Sequence, residues 1–207
     1  MLRMEDVLKK YNVSRETIDN LKLFQNMVLE WNKKFNLISK SSEKDIWERH
    51  ILDSLQLCQF INKNHKILYD FGSGAGFPGV VLAIIGKQNF PELKITLIES
   101  IGKKVLFLKE VDKVLDLNLN IINDRIENLK LPKADIISSR ALASLEKLLA
   151  YAKPFCFEKT ILIFPKGEKW QEEINKAKEK WIFDYKNIQS ITNNKGCILS
   201  INKIRRK

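Results

Sequence analysis

Ten residues, "DFGSGAGFPG" from Asp70 to Gly79, stand between the apolar runs "ILY" and "VVLAIIG". Short residues at a point where a strand must turn abruptly into a helix are suited to binding a nucleotide cofactor, because the backbone can approach a ligand closely there. Two motifs overlap in this stretch. From Gly74, "GAGFPG" satisfies the G-x-G-x-x-G dinucleotide pattern; from Asp70, "DFGSGAG" is the acid plus G-x-G-x-G of an S-adenosylmethionine loop. Both predict an acidic residue about 20 positions further on, at the end of the next strand, to accept from ribose hydroxyls. Glu99 in "KITLIES" occupies that place.

The elements that must position these groups follow from hydrophobic periodicity. Ser14 is placed to cap a helix whose apolar residues Ile18, Leu21, Phe24, Val28, Trp31 and Phe35 recur at steps of three and four. After a polar break, "SKSSEKD", Ser42 and Asp45 stand in capping-box spacing before a second helix carrying Ile46, His50, Ile51, Leu55 and Cys58. From Lys66 onward strand and helix signals alternate. "KILYDF", "KITLIES", "LNIIND", "ADIISS" and "KTILIF" read as strands, and "PGVVLAIIG", the stretch through Val105 and Leu115, "SLEKLLAYA" and "KWQEEINKAKEKW" as helices. "NIQSI" and "CILSINKI", joined by the turn "TNNKG", close the sheet as an antiparallel pair. The expected architecture is an α/β fold of the Rossmann-like kind: a mostly parallel seven-stranded sheet with an antiparallel edge (66–207) behind an N-terminal helical subdomain (1–65).

Composition narrows the function classes. With 44% hydrophobic and 29% charged residues, the 207-residue chain is expected to fold around a buried core. Its apolar runs are far shorter than the roughly 20 residues needed to span a bilayer, and "MLRMEDVLKKYNVS" lacks the apolar segment of a secretion signal. A cytoplasmic protein with no membrane association is expected. Cys58, Cys156 and Cys197 are far apart, form no C-x-x-C pair and lie away from His50 and His65, which predicts reduced core thiols and no metal site. The net charge of +11 suits a phosphate-rich partner, and an excess of roughly seven positive charges lies from Lys153 onward. The basic end "INKIRRK" is a candidate basic strand end and tail for RNA, with a soluble terminus as the plainer alternative.

Three features favour S-adenosylmethionine over a dinucleotide. Asp70 could meet the cationic end of the former, whereas a carboxylate facing a diphosphate is unhelpful. No Tyr-x-x-x-Lys pair accompanies the loop, and the closing hairpin resembles the seven-stranded methyltransferase sheet. The alternatives that remain are a nicotinamide-dependent oxidoreductase and a non-catalytic RNA-binding or assembly protein on a methyltransferase fold.

With these segments in order, the chain resembles the glucose-inhibited division protein B family, bacterial 16S ribosomal RNA guanine-N7 methyltransferases. "WNKKFNLIS" and "RHILDSL" are similar to the family's N-terminal signature, "DFGSGAGFPG" to its cofactor loop, "LIESIGKKVLFLKEV" to its second strand and helix, "ISSRALASLEKL" to its fourth-strand segment and "PKG" to its later Lys-Gly turn. Ala75 and Phe77 depart from the Pro and Leu common at those loop positions. The resemblance implies S-adenosylmethionine as cofactor, with Gly72 and Gly74 beside its methionine part, Phe77 packed against it, Glu99 on the ribose, Ile126 and Glu127 beside the adenine, and Arg140 at the site. Asp124 competes with Glu127 for the acidic role, and a structural pairing of Arg140 with Glu99 or Asp70 is the alternative for that arginine.

The implied partner is 16S rRNA, in the small ribosomal subunit or an assembly intermediate, with the family's position 527 as target and a monomer as the working form. Arg49, His50 and Lys166 are candidate RNA contacts, His50 having a structural hydrogen-bonding role as its alternative; Asp53 and Ser54 share the polar segment "RHILDS". "SSRA" after the fourth strand differs from the Asn/Asp-Pro-Pro-aromatic motif of amino-directed methyltransferases. Guanine N7 already carries an in-plane lone pair, so no catalytic base is expected and Arg140 is the positioning candidate.

Overall fold

Ser14 stops the chain from entering the first long helix too early. Its hydroxyl accepts from the Thr17 N–H at 3.1 Å and satisfies a donor that the helix cannot. The computed structural model describes residues 4–207. It opens with α1 (Met4–Lys10) and α2 (Arg15–Phe35), whose Leu21, Phe24 and Val28 are fully buried. The Phe24 ring lies 5.1 Å from that of Phe77 and 6.4 Å from that of Phe107, so the N-terminal helices share one core with the sheet-covering layer.

The second expected helix takes a different form. Ser42 lies inside a short α3 (Lys40–Glu43) and bonds the Ser39 hydroxyl at 2.7 Å, so it forms no capping box with Asp45. The next segment changes pitch, from a π turn over Trp47–Leu52 through one α turn, α4 (Asp53–Leu55), to a 3₁₀ turn over Gln56–Phe60. The wide turn carries Arg49 and His50.

Seven strands follow: β1 (Ile67–Phe71), β2 (Lys94–Ile98), β3 (Asn120–Ile122), β4 (Ala134–Ser139), β5 (Cys156–Lys166), β6 (Trp181–Gln189) and β7 (Cys197–Arg206). They are interleaved with α5 (Gly79–Asn89), α6 (Gly102–Leu115), α7 (Leu145–Ala152) and α8 (Trp170–Lys180). The sheet order is β3-β2-β1-β4-β5-β7-β6, with the first five strands parallel and β7 antiparallel to both neighbours. The mostly parallel α/β sheet and its closing antiparallel hairpin are as expected. Strand order reverses between β1 and β4, and this opens a cleft at their carboxyl ends.

Two boundaries differ from the sequence reading. Trp181 begins β6 instead of ending α8, because Trp181 and Phe183 point into the core while Ile182 and Asp184 point out. That is the period of a strand. The basic terminus is a strand end as far as Arg206: β7 runs two residues past "CILSINKI", with its Arg205 and Arg206 paired with Ile182 and Trp181 of β6. Since β7 runs against β5, with Cys197 opposite Lys166, these arginines lie at the end of the sheet remote from the glycine loop. No helix among the described residues is long and apolar enough to cross a membrane.

Candidate functional site

The glycine loop is a set of turns held from below. After β1, the N–H groups of Gly72 and Ser73 both donate to the Ile98 carbonyl, at 2.8 and 3.2 Å, which ties the loop to the end of β2. Gly72, Gly74 and Gly76 have φ of +65°, +58° and +90°. The Gly74 N–H donates to Glu99 Oε2 at 2.8 Å, and the Ile101 N–H donates to Glu99 Oε1 at the same distance. One buried carboxylate therefore staples the loop to the start of α6, with further lone pairs left on each oxygen. A Cβ on Gly74 would meet only Gly72 O at 3.7 Å and Lys104 Nζ at 4.0 Å. Beyond it is open space.

Asp70 departs from its expected role. Its carboxylate is fully buried and turned away from the cleft, where Oδ1 accepts from the Ser138 hydroxyl at 2.7 Å and Oδ2 from the Gly79 N–H at 3.2 Å. The pairing of Asp70 with Ser138 in neighbouring strands creates this contact, so Asp70 braces strand against helix start and does not face a ligand. Burial pushes its carboxyl up to about 6, against the opposing pull of the Ser138, Ser73 and Gly79 hydrogen bonds and of Arg140. A carboxyl whose pKa is higher folded than unfolded favours the fold most below its unfolded value, and that contribution is lost as pH rises through the folded value. Relative to Asp70→Asn, the wild type should lose on the order of 3 kcal/mol of unfolding free energy between pH 4 and 7. Urea unfolding of both proteins across that range checks it; parallel pH profiles would refute it.

Above the loop lies a cavity of about 850 Å³ whose walls bring together Gly72, Gly74, Phe77, Glu99, Ile126, Glu127 and Arg140, with Arg49 and His50. Ile126 is buried at the start of a 3₁₀ turn, and Glu127 is exposed beside it. Asp124 braces that turn, its Oδ1 accepting from the Arg125 N–H and from Asn128 Nδ2 at 2.7 and 2.8 Å. Phe77 lines this cavity but is itself packed on several sides. It is 4% exposed, with the His50 ring stacked 4.9 Å away, Phe24 tilted against it and the Arg140 guanidinium 5.4 Å from its centroid.

Arg140 gathers the β4 end and the π turn. Its Nη1 donates to the Arg49 carbonyl at 2.9 Å and lies 3.4 Å from Asp53 Oδ2, and its Nη2 bonds His50 Nδ1 at 2.7 Å. Its carboxylate partner is thus Asp53, neither Glu99 nor Asp70. Burial, then the charges of Arg140 and Arg49, drive the His50 imidazole down to about 3, so the ring is neutral. With Nδ1 accepting from Arg140, the proton sits on Nε2, a buried atom without a partner among the described residues. His50, which is partly buried, therefore serves as a hydrogen-bond acceptor within the site, the structural role given above as its alternative.

Sequence reasoning missed how far Asp53 reaches. Its Oδ1 accepts from Gln56 Nε2 at 2.8 Å and from the Thr192 hydroxyl at 2.9 Å, which ties the β6–β7 turn to the cleft. The signal was present in "RHILDS", but the partner lies 139 residues away.

A second cavity, about 550 Å³, shares Asp53, Arg140, Ala141, Leu142 and Asn193 with the first and extends to Lys166 and Glu173. Ala141 has φ +55°, an uncommon conformation for a residue with a Cβ. Lys166 is not a free cation at the rim. Its side chain is 8% exposed and donates to Glu173 Oε2 at 2.8 Å and to the Ala143 carbonyl at 3.2 Å. Of the three RNA candidates, Arg49 alone presents an exposed side chain.

A family model described as rRNA small subunit methyltransferase G matches residues 17–201. Curated relatives with the name Ribosomal RNA small subunit methyltransferase G include one from Orientia tsutsugamushi (strain Ikeda), 43% identical over 92% of this chain and 93% of its own. Others come from Rickettsia prowazekii (strain Madrid E), 42% identical over 93% and 97%, and Cereibacter sphaeroides (strain ATCC 17029 / ATH 2.4.9), 40% identical over 97% of each. Among solved structures, a SAM dependent methyltransferase from Aquifex aeolicus superposes with a TM-score of 0.59 at 16% identity, over 79% of this chain and 94% of that one. M. jannaschii TYW2 in complex with AdoMet superposes at 0.57 and 17% identity, over 76% of each chain. These two likenesses establish a shared fold.

Proposed function

The chain belongs to the rRNA small subunit methyltransferase G family, and from that membership we propose that it transfers a methyl group from S-adenosylmethionine to N7 of one guanine in 16S rRNA, the family's position 527. The observation that carries this reading is the shared wall of Arg140, Ala141 and Leu142 between two cavities. One cavity suits the cofactor and the other is open to a base. The fit to the cofactor rests on this chain's own atoms. Ile126 offers an apolar face for the adenine, Glu99 retains lone pairs for ribose hydroxyls, and the Cβ-free surface of Gly74 leaves room for the amino-acid part.

When bound, the cofactor supplies a methyl group activated by its sulfonium. The lone pair of N7 forms the new bond to the methyl carbon as the methyl–sulfur bond breaks and its electron pair stays on sulfur, so the positive charge passes to the base and the protein has no proton to remove; it has to align the base and exclude water. Arg140 is held rigidly enough to orient the base. Its charge is balanced by Asp53, which limits repulsion of the positive charge that the base acquires. His50, neutral and with Nδ1 committed to Arg140, is unsuited to act as a base. Such a site favours N7 over targets that need deprotonation. We take the working form to be a cytoplasmic monomer that meets its RNA through the cleft, with Arg49 at its rim.

Mapping 7-methylguanosine in small-subunit rRNA from cells with and without the gene tests the proposal. One modified guanine should disappear with the gene, and an unchanged map would refute the assignment. Transfer of labelled methyl to that RNA by the purified protein separates an enzyme from an RNA-binding protein without turnover.

Glu99→Gln tests the ribose assignment. The amide keeps one acceptor oxygen, but its NH₂ would face one of the two backbone N–H groups now donating to the carboxylate. Affinity for adenosine-containing ligands should fall by about 1.5–3 kcal/mol, in line with the loss of a charged hydrogen bond. Calorimetry with S-adenosylmethionine, S-adenosylhomocysteine and 5′-methylthioadenosine should register the same loss for all three. A loss confined to ligands carrying the sulfonium would relocate Glu99 to the methyl end.

A further inference from the structure

S-adenosylmethionine ends in an amino acid whose α-carboxylate is the ligand's one negative charge, beside an ammonium and a sulfonium. With Asp70 buried and turned away, the glycine-loop end of the cavity needs a cation, not an anion, to hold that group. Four cationic side chains line the cavity: Arg49, Lys104, Arg125 and Arg140. Arg140 is matched by Asp53. Arg125 precedes Ile126 at the adenine end, and Arg49 is an exposed residue of the π turn.

Lys104 is differently placed. It stands in the first turn of α6, half-buried, with its N–H bonded to the Ile101 carbonyl at 2.9 Å. Its Nζ lies 4.0 Å from the position a Cβ would take on Gly74, and it has no carboxylate within ion-pair distance among the described residues. The nearby Glu99 carboxylate spends its bonds on the backbone of Gly74 and Ile101. An unmatched ammonium beside the cofactor's two positive groups would oppose binding unless it met the carboxylate between them. Resting on the cofactor assignment made above, we propose that Lys104 binds the α-carboxylate of the methionine part and so fixes the direction in which the cofactor lies across the glycine loop.

The test compares two ligands that share the adenosine and differ in the amino acid. S-adenosylhomocysteine carries the carboxylate, and 5′-methylthioadenosine lacks it. By calorimetry, Lys104→Gln should bind the former about tenfold more weakly than wild type and the latter equally well, with the first loss shrinking as salt is raised. Lys104→Arg should restore much of the affinity. Equal losses for both ligands would place Lys104 on the ribose or the fold and overturn the proposal. So would unchanged affinity for S-adenosylhomocysteine, whether or not RNA binding suffers. If the wild type binds neither ligand, the cofactor assignment itself is wrong and the role of Lys104 falls with it.

Discussion

Gly74→Val will fold but will not bind the cofactor. At φ +58° a β-branched side chain is strained, by roughly 1–2 kcal/mol, which a buried core of this size should tolerate. The Cβ itself would meet only Gly72 O at 3.7 Å and Lys104 Nζ at 4.0 Å, both ordinary contacts. The γ-methyl groups have nowhere to go but the cavity, into the volume the ligand must occupy. Calorimetry should register at least a hundredfold loss for S-adenosylmethionine and S-adenosylhomocysteine, while circular dichroism and thermal unfolding report a folded protein. Unchanged affinity in a folded Gly74→Val protein would mean that the ligand does not cross this loop. Gly76 is the contrasting case. A Cβ there would come within 2.5 Å of Val80 Cγ2 and 3.1 Å of Phe24 Cζ, so substitution should damage packing before binding.

Arg140→Ala should reduce methyl transfer by roughly 10²–10³-fold, the usual consequence of losing a preorganised donor at a reacting centre. Four contacts depend on this one side chain: Asp53, the Arg49 carbonyl, His50 Nδ1 and the Phe77 ring. Arg140→Lys should rescue little, because a single ammonium lacks the planar fork that reaches three acceptors at once. His50 provides an independent readout. Removing the guanidinium deletes one of the two charges that hold the imidazole down, so its pKa should rise from about 3 in Arg140→Ala. It should stay below 6.5, because burial is the larger cause and remains. The chain has two histidines, and an NMR titration can follow each. A transfer rate within a few fold of wild type, or a His50 titration that does not move, would detach Arg140 from this role.

The parts of this protein legible in its sequence are those whose causes are local. Strand and helix periods, the Ser14 cap and the turn-forming glycines each depend on residues a few positions apart, and they predicted the sheet and the loop. The position of Glu99 followed from one strand and one turn. Where long-range contacts decide, the reading failed or stopped short. Asp70 has the right type for a ligand-facing acid, but Ser138, 68 residues away, turns it inward. Lys166 has the charge for a phosphate contact and spends it on Glu173 across a strand–helix junction.

Trp181 fits the end of a charged helix until β7 pairs with it, and the position of "INKIRRK" at the end of the sheet remote from the glycine loop follows only from antiparallel pairing. Residue type and local backbone conformation were enough for the fold class, the glycine loop and a nucleoside-type ligand. Which charges are spent and which stay free depends on how strands and helices pack. Asp53 took Arg140, Glu173 took Lys166, Ser138 and Gly79 took Asp70, and Lys104 stayed unmatched beside the loop. A side chain's charge is fixed by its type, but its partner is fixed by which strands and helices lie next to each other.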